Sequence, residues 1–549
     1  MKKILLFFIL FTLFLHILSP INIFAQDIVW KKNFGSFVNT YASVTAVSDG
    51  IIAVGLGRLF DLDDWEGVEG KGDEDAIIVK YDNTGNVVWK KNFGGEKWDC
   101  YTSVTTVFDG VVAVGYSEGS SFNTGDWIGI TKKGHRDAII VKYDNAGNVV
   151  WKKNFGGKER DTFCSVAITP DGIIAVGYSD DGSFDTGDWE GVSGKGGRLN
   201  AIIVKYDHTG NVIWKMNFGG SGTDAYGCVT TMNDGIVAVG SSSSDSFGNG
   251  DWEGIPSKGT GDAIIVKYDH AGSVIWKKNF GGSGADVFQS LTAVSDGIVA
   301  VGFSIIYSDG DWEGFTRKGS LDAIIVKFDH AGNVLWKNNF GGISTDSFAS
   351  VTEVSDGVIV VGTANEKTFD TGDWEGITGN LSGTEVGTLD AIIVKFDHAG
   401  HVVWRNNFGG IDQDEYSSVA IVDNSVVVVG HSDRLSFGNG NWVNVQNKGH
   451  RDAIIVKYTI ELGIPKYPQE LSDIKVYPNP TTGELRIMSD ELPIGDIEVF
   501  DVYGRKLSYN HIITSSSHQR IDISNLNPGI YFVKVVTEQG EIVKKVVKQ

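Results

Sequence analysis

The sequence is poor in several features that would point to particular fold classes. Of its 549 residues only 3 are cysteine and 9 are proline. Cys100, Cys164 and Cys228 lie far apart and are odd in number, which excludes a disulfide framework and the spacing of a metal site. We interpret them as small buried apolar side chains. No segment keeps an apolar period of about 3.6 residues, so helices are expected to be rare.

Basic residues are also scarce. The chain has 47 Lys and Arg against 69 Asp and Glu, which gives a net charge of −22, and the acidic excess lies in residues 26–465. Such a surface repels nucleic acid and anionic membranes, so neither is expected as a partner. It suits cations, basic proteins or neutral sugars.

Long apolar runs are missing after the first 25 residues, so no transmembrane span is expected in the mature chain. The beginning of the chain is different. Lys2 and Lys3 precede an apolar run from Ile4 to Leu15, and Ala25 suits a cleavage site. This pattern predicts a secretory signal peptide over residues 1–25. An uncleaved anchor is the alternative, but the run is short for a span and polar sequence follows.

What the chain has in abundance is glycine, with 71 residues, and a repeated unit of about 60 residues. Each unit contains one tryptophan in a run of the form VVW. These tryptophans follow one another at intervals of 59 to 68 residues. They are Trp30, Trp89, Trp151, Trp214, Trp276, Trp336 and Trp404.

Each unit contains four short β-rich runs separated by turn residues. An Asp-Gly pair such as Asp171-Gly172 is expected to form the two-residue turn of a first hairpin, with a positive φ. A long loop then precedes a second hairpin of the form DAIIVKYD–GNVVWKKNFGG. In the second full unit the predicted strands are Ser165–Thr169, Ile173–Tyr178, Ala201–Tyr206 and Asn211–Phe218.

Seven such units predict an all-β fold, a seven-bladed β-propeller over residues 26–458. The half unit DIVWKKNFG begins at Asp27, and the complementary half DAIIVKY begins at Asp452. An N-terminal strand would therefore complete the last blade and leave no free sheet edge. One alternative is an open β-solenoid, but its rungs are usually shorter and need no complementary halves. The other is a six-bladed ring with a spare unit, which would leave the match of the two halves unused.

The text from Asp262 to Gly282, DAIIVKYDHAGSVIWKKNFGG, resembles the repeat DAxVxKxDxxGNxxWxxxxGG of bacterial β-propeller repeat proteins. The resemblance covers about residues 27–458. It implies the fold and says little about function.

The repeats end at Tyr458, and residues 459–473 are interpreted as a linker. Residues 474–549 contain short strand-like runs that predict a small β-sandwich domain. YPNPTTGE, DVYGRKL and LNPGIYFVKVV, in this order, resemble the C-terminal sorting domain of type IX (Por) secretion substrates. The residues that carry the resemblance are Tyr477, Pro478, Asn479, Pro480, Gly483, Gly504, Gly529 and Tyr531.

This resemblance implies a Bacteroidota-type cell envelope and passage through the outer membrane. The type IX secretion machinery would be a partner, and the protein would be secreted or held at the outer cell surface. The sorting domain is often removed from such proteins.

Each long loop carries an acidic–aromatic pair, and long loops on one face of a rigid ring are where a ligand would bind. One hypothesis is that the carboxylates and indoles bind carbohydrate. The alternative is structural, with each Trp packed between blades and each Asp capping a turn. The candidate binding residues are Asp64, Trp65, Asp126, Trp127, Asp188, Trp189, Asp251, Trp252, Asp311, Trp312, Asp373 and Trp374.

Calcium is the only cofactor considered, because hard cations need several oxygen ligands. The weak candidate ligands are Asp61, Asp63, Asp185 and Asp188. The text SFDTGDW also resembles the sialidase Asp-box but is one residue short, and the arginines that a sialidase would need are scattered.

Gly115–Gly119 matches the G-x-S-x-G pattern of hydrolases by chance, because it ends a repeat strand and no equivalent serine is expected in the other units. No catalytic residue is assigned.

The favoured function is a non-catalytic scaffold that binds a glycan or a protein. The alternative is a hydrolase or lyase that acts on polysaccharide from the long-loop face. An enzyme usually breaks the symmetry of its repeats at the site. Here the sixth unit does so mildly, with the longest loop, Asn365–Leu389.

Overall fold

The structure is a computed structural model that describes residues 27–380, 388–460, 474–489, 493–500, 506–507, 510–513, 518–537 and 540–549. The chain divides into two compact units, Met1–Ile460 and Glu461–Gln549. The predicted signal peptide over residues 1–25, most of the predicted linker and Gly504 of the sorting motif lie outside the described residues. In the part of the chain that is described, no helix is long and apolar enough to cross a membrane.

The first unit is built from antiparallel sheets of four strands, which we call blades and number in chain order. Within a blade the strands pair in chain order, first to fourth. Blades one to three contain β2 Val38–Val47, β3 Gly50–Arg58, β4 Asp75–Tyr81, β5 Val87–Phe93; β6 Asp99–Val107, β7 Gly110–Glu118, β8 Arg136–Asp144, β9 Val149–Phe155; and β10 Asp161–Thr169, β11 Gly172–Asp180, β12 Leu199–Tyr206, β13 Val212–Phe218. Blades four to six contain β14 Asp224–Met232, β15 Gly235–Ser243, β16 Gly261–Tyr268, β17 Val274–Phe280; β18 Asp286–Val294, β19 Gly297–Ser304, β20 Asp322–Phe328, β21 Val334–Phe340; and β22 Asp346–Val354, β23 Gly357–Asn365, β24 Leu389–Phe396, β25 Val402–Phe408.

The last blade takes its strands from both ends of the unit. It contains β26 Asp414–Val422, β27 Ser425–Asp433 and β28 Arg451–Thr459, and its fourth strand is β1, Ile28–Phe34. β1 pairs antiparallel with β28, from Ile28 opposite Tyr458 to Phe34 opposite Ala453. The prediction of an N-terminal strand that completes the last blade is confirmed.

The blades form a closed ring. The first strand of every blade contacts the first strand of the next, and β26 of the last blade contacts β2 of blade one. Buried apolar residues pack between the facing sheets of neighbouring blades; Val114 and Ile140 of blade two, for example, share a cluster with Phe163 and Ile173 of blade three. Closure leaves each sheet with neighbours on both faces, which is the architecture of a β-propeller.

The first hairpin differs from its prediction by one residue. Val107 pairs with Gly110, so the two turn residues are Phe108 and Asp109 and the glycine starts the next strand. Gly110 has a φ of 153°, and a Cβ there would collide with the carbonyl oxygen of Tyr143. The close approach of a neighbouring strand, rather than the turn itself, therefore requires the glycine.

The first strand is also longer than predicted. In blade three it begins at Asp161 rather than Ser165, and a register shift between Phe163 and Ser165 interrupts its alternation. Because a bulge breaks the two-residue period, the pattern ahead of it is not recognisable as strand. Elsewhere the predicted bounds agree with the observed strands to within about two residues.

Short 3-10 turns occur in the long loops that join the second and third strands, and the other described residues of these loops are irregular. The turns are Asp63–Trp65, Gly119–Ser121, Gly125–Trp127, Asp181–Ser183, Gly187–Trp189, Ser244–Ser246, Gly250–Trp252, Gly310–Trp312, Glu366–Thr368, Gly372–Trp374, Arg434–Ser436 and Gly440–Trp442.

The tryptophan of each VVW run joins two blades. Trp89 donates from Nε1 to the carbonyl of Asn145 in the next blade, at 3.3 Å, and its ring lies against Gly147. Trp404 of blade six has no hydrogen-bond partner for Nε1 among the described residues. The next blade has no turn between its third and fourth strands, because these come from opposite ends of the repeat region.

The second unit is a β-sandwich, as predicted. One sheet has the order β29–β30–β34–β33 and the other β32–β31–β35–β36, and Ile487, Val499 and Val533 belong to a shared apolar core. The strands are β29 Lys475–Tyr477, β30 Glu484–Met488, β31 Ile494–Phe500, β32 Lys506–Leu507, β33 Asn510–Ile513, β34 His518–Asp522, β35 Gly529–Thr537 and β36 Gly540–Lys548.

Candidate functional site

The tryptophans of the long loops are completely buried. In blade two the Trp127 side chain has no exposed surface, and its Nε1 donates to Asp99 Oδ1 at 3.0 Å and to Ser117 Oγ at 3.1 Å. Its ring packs edge-on against Phe93 at the end of the preceding blade. The equally buried members of the set are Trp65, Trp189, Trp252, Trp312, Trp374 and Trp442.

These indoles offer no face on which a sugar could stack without opening the loop. Their contacts are those of the structural alternative, because each indole ties a long loop to the start of a first strand. Ser117, the central residue of Gly115–Gly119, belongs to the same arrangement and is buried. The expectation that the other units have no equivalent serine is wrong. The equivalents are Ser179, Ser242, Ser304 and Ser432, and all four donate from Oγ to the first-strand Asp of their blade.

The first-strand aspartates are buried acceptors. Asp161 accepts from Gly157 N, Ser179 Oγ, Ser183 Oγ and Trp189 Nε1. Burial raises the pKa of Asp161 to about 6, although these four donors favour the charged form. Burial likewise raises the pKa of Asp99, Asp286 and Asp346 to about 6 and that of Asp414 to about 7.

The aspartate that precedes each buried Trp holds neighbouring blades together. Asp126 Oδ2 accepts from Gly94 N at 3.0 Å and pairs with Lys71 of blade one at 2.6 Å. Both side chains of this pair are only partly exposed. The same ion pair links five further junctions, as Lys133–Asp188, Lys195–Asp251, Lys258–Asp311, Lys318–Asp373 and Lys448–Asp64.

One junction has lost both charges. Asn441 replaces the aspartate in the last blade and accepts from Gly409 N at 3.0 Å, as its counterparts do. Asn380 of blade six replaces the lysine, because its backbone N donates to Asp390 just as that of Lys71 donates to Asp75. The ion pair has thus been exchanged as a unit for a neutral pair, which supports a structural role for these positions.

Three of the four calcium candidates already have hydrogen-bond or ion-pair partners. Asp61 Oδ1 accepts from Gly67 N, and Asp185 Oδ2 accepts from Ser193 Oγ. Asp188 is occupied by Gly156 N and Lys133. Asp63 lies in a 3-10 turn with a positive φ of 48°. In the described part of the chain no three His, Cys, Asp or Glu side chains lie close enough together to hold a metal ion. Calcium stays an untested prediction.

Sequence reasoning missed a second series of ion pairs. Lys142 is buried near the end of β8 and pairs with Asp109 in the first turn of its blade, at 2.8 Å. Five other blades have the same pair; in the last blade Lys457 contacts the Asn83 carbonyl instead. The invariant lysine inside an otherwise apolar IIVKY run was the signal. The further pairs are Lys80–Asp49, Lys205–Asp171, Lys267–Asp234, Lys327–Asp296 and Lys395–Asp356.

The symmetry of the ring is broken on the long-loop face. Four consecutive blades, the last one and blades one to three, each carry an arginine–carboxylate pair at the long-loop end of the sheet. Blades four to six have only uncharged residues at these positions. The pairs are Arg451–Asp433, Arg58–Glu74, Arg136–Glu118 and Arg160–Asp180, with distances of 2.5, 3.4, 2.7 and 3.0 Å. Arg136 and Arg451 start the third strand of their blades, whereas Arg58 ends a second strand and Arg160 precedes a first strand.

A pocket of about 500 Å³ opens within this charged sector, between the loops of blades one and two. Trp98 lines it and is 47% exposed, unlike the seven buried loop tryptophans. The other lining residues are Asp73, Lys97, Glu118, Gly119, Ser120, Lys132 and His135.

Trp98 lies immediately before the first-strand Asp, and no other unit has an aromatic residue there. The equivalents are Val38, Arg160, Thr223, Ala285, Thr345 and Gln413. Alignment of the units would have found it, whereas a search for repeated motifs passes over it.

In the second unit the asparagine of the sorting motif ties two segments together. Asn479 Nδ2 donates to the Lys545 carbonyl at 2.7 Å, and Asn479 Oδ1 accepts from Val547 N at 2.9 Å. Tyr531 donates to the Asn527 carbonyl at 2.7 Å. A Cβ on Gly483 would lie 2.8 Å from that of Ser524. Tyr477, Pro478 and Pro480 are exposed, and Gly529 starts β35.

The family described as secretion system C-terminal sorting domain matches residues 475–549. Two curated proteins share parts of the chain. Regulatory protein FlaEY of Caulobacter vibrioides is 26% identical over 217 residues, 38% of this chain and 21% of that protein. Uncharacterized WD repeat-containing protein L264 of Acanthamoeba polyphaga mimivirus is 30% identical over 118 residues, 20% of this chain and 8% of that protein. The matches thus span about a fifth or less of these relatives.

Similar solved structures include the WD40 β-propeller domain of Doa1, which covers 80% of this chain and 98% of its own at 12% identity and a TM-score of 0.39. Chaetomium thermophilum Sqt1, bound to the N-terminus of ribosomal protein L10, covers 79% and 100% at 11% identity and a TM-score of 0.38. Because these TM-scores are low, the fold assignment depends on the strand pairing described above. The chain is a β-propeller repeat protein with a C-terminal sorting domain of the type IX secretion system, which directs it to the outer cell surface or out of the cell.

Proposed function

We propose that this exported propeller is a non-catalytic scaffold that binds a glycan or protein ligand in the pocket beside Trp98. The observation that carries the proposal is the exposed indole of Trp98 in a concave site, at a position where no other blade has an aromatic side chain. An indole combines a large apolar face with one polar atom, which suits it to ligand contact.

The acidic groups at the pocket favour binding over catalysis. Asp73 pairs with Lys97 at 3.1 Å, Glu118 with Arg136 at 2.7 Å, and the neighbouring Glu159 with His135 at 2.9 Å. A glycosidase needs two carboxyl groups free to act on the bond, one as acid and one as base or nucleophile. Here Asp73 and Glu118 are each paired with a cation and Glu159 lies within hydrogen-bond distance of His135, so the polysaccharide hydrolase or lyase is the less favoured alternative.

The test is Trp98→Ala in the full chain, with Phe108→Ala as matched control. Phe108 is fully exposed on the turn at the opposite end of β6, so both variants remove one exposed aromatic ring from the same blade. Wild type and variants are compared on a glycan array and in pull-downs from the native extracellular milieu. We expect Trp98→Ala to weaken the strongest interaction at least fivefold and Phe108→Ala to leave it unchanged. Equal binding by all three proteins would refute the site.

A further inference from the structure

The charge that the Trp98 pocket leaves available to a ligand is positive. Both of its lining carboxylates are neutralised, Asp73 by Lys97 and Glu118 by Arg136. Lys132 lines the same pocket, is exposed, and has no ion-pair partner among the residues described. A chain of net charge −22 therefore presents an unpaired ammonium group at a pocket that also holds an exposed indole.

The sequence around the pocket is also biased towards positive charge. The long loop of blade two contains Lys132 and Lys133, the second of which pairs with Asp188, and its only acidic residue, Asp126, is occupied by Lys71. Ile128 stands where five other loops have a glutamate after the buried Trp. Lys158, in the connection to blade three, is exposed and also lacks an ion-pair partner in the described part of the chain.

The shape of the site favours a small ring over a flat protein surface. A pocket of about 500 Å³ lies within the range of roughly 300–1,000 Å³ typical of small-ligand sites. A stable protein interface instead buries about 800 Å² on each partner. Gly119 lines the pocket, and a Cβ there would collide with the Gly134 carbonyl, so the backbone at this edge of the pocket is closely packed.

We propose that the pocket binds an acidic saccharide, one that carries a carboxylate or sulfate group, and this inference rests on the proposed binding function. The sugar ring stacks on the Trp98 indole, and the anionic substituent pairs with the Lys132 ammonium. The Asp73–Lys97 pair on the blade-one side contacts hydroxyl groups, so the anionic group points towards blades two and three. The anionic group is what separates this ligand from the neutral sugars that the acidic composition alone suggests.

The experiment measures dissociation constants of the full chain by affinity electrophoresis for two matched pairs of polymers. Dextran sulfate and dextran differ only in sulfate, and polygalacturonate and its methyl ester differ in the carboxylate charge. We expect at least one acidic polymer to bind at least tenfold more tightly than its neutral match. Lys132→Ala should weaken that binding about tenfold, because a charge-assisted hydrogen bond is lost. Lys91→Ala, at an exposed lysine of β5, is the control and should have no effect.

Asp73→Asn is expected to change the affinity for acidic polymers in the direction opposite to Lys132→Ala. It frees Lys97 from its partner, and both side chains are nearly half exposed, so folding should be preserved. We expect acidic-polymer binding to tighten two- to fivefold. Unchanged or weaker binding by this variant would overturn the assignment of the charge.

The outcomes separate the ligand class from the binding function. Equal binding of neutral and acidic polymers, still sensitive to Trp98→Ala, overturns the acidic saccharide and keeps the scaffold. The same holds if no polymer binds while a protein partner is lost with Trp98→Ala. Acidic-polymer binding that is insensitive to both Trp98→Ala and Lys132→Ala overturns both proposals.

Discussion

The contribution of an ion pair between blades to the free energy of unfolding can be measured cleanly. The chain contains its own control, because one junction has the neutral residues Asn380 and Asn441 instead. Asp188 accepts a hydrogen bond from Gly156 N at 3.0 Å and pairs with Lys133. Asp188→Asn keeps an acceptor for Gly156, as Asn441 does for its own glycine, and removes only the charge. We expect the free energy of unfolding to fall by about 1 kcal/mol.

The magnitude follows from the exposure of the pair. Two unit charges about 4 Å apart attract by about 4 kcal/mol at an effective dielectric constant of about 20, and by about 1 kcal/mol in water. The side chains of Lys133 and Asp188 are 26% and 30% exposed, so solvent screens the attraction and fixing a lysine costs entropy. The net value therefore lies near the lower figure.

A double-mutant cycle of Asp188→Asn and Lys133→Met isolates this coupling from other effects, such as the bond of Lys133 to the Asn154 carbonyl. All 15 tryptophans lie between Trp30 and Trp442, so their fluorescence in denaturant reports on the propeller alone. The coupling should shrink by more than half in about 1 M salt, where the Debye length is about 3 Å.

At the junction with the neutral residues Asn380 and Asn441, an ion pair can be introduced instead of removed. Installing the pair with Asn380→Lys and Asn441→Asp should recover a coupling of similar size and sign, since both residues occupy the positions of an ion pair elsewhere in the ring. A coupling below about 0.2 kcal/mol at low salt in the native pair, or one that salt does not change, would refute the electrostatic account of the blade junctions.

Further predictions concern buried groups and the sorting domain. Burial raises the pKa of Asp414 to about 7, so the stability it contributes is present below about pH 4 and is lost as the pH rises to about 7. Asp414→Asn should flatten that decline by up to ~1.4 kcal/mol per pH unit in denaturant titrations; an unchanged slope would contradict the assignment. Gly147 and Gly129 have φ near 80°, but only at Gly147 would a Cβ meet an indole, that of Trp89, at 3.0 Å. Gly147→Ala should therefore cost about 1–2 kcal/mol more than Gly129→Ala, and equal losses would exclude the clash. Asn479→Ala should loosen the end of β36 and reduce export in a type IX host, measured by cell fractionation; undiminished export would limit Asn479 to a local role.

The repeats made much of the fold predictable. Trp30 and its six counterparts set the period, and the divided hairpin at Asp27 and Asp452 predicted how the last blade is completed. The second hairpin was placed well because the DAIIVKY run is buried throughout, which a continuous β-branched run indicates. The start of the first strand was missed because a bulge interrupts its alternation after Phe163.

The sequence predicts the face of the ring on which a binding site would lie, but it does not identify the residues that form the site. Repetition drew attention to Trp127 and its equivalents, whereas burial shows that what repeats is the joint between blades. The pocket instead depends on departures from the repeat, such as Trp98 and Lys132, which a motif search treats as noise. Their proximity depends on two loops from different blades, and sequence spacing does not report that distance.

Because β1 and β28 lie at opposite ends of the repeats, β1 can pair with β28 of its own chain or with β28 of a neighbouring chain. Closing a loop of about 430 residues costs only about 1.7 kcal/mol more than closing one of about 60 residues, so chain entropy scarcely opposes the correct union. Until that union forms, however, β28 has an unpaired edge that any second copy of β1 fits equally well. Two crowded chains could therefore exchange their first strands and form a swapped dimer, with every blade intact and every strand paired. Dilution during folding, rather than any change of sequence, would then select the monomer.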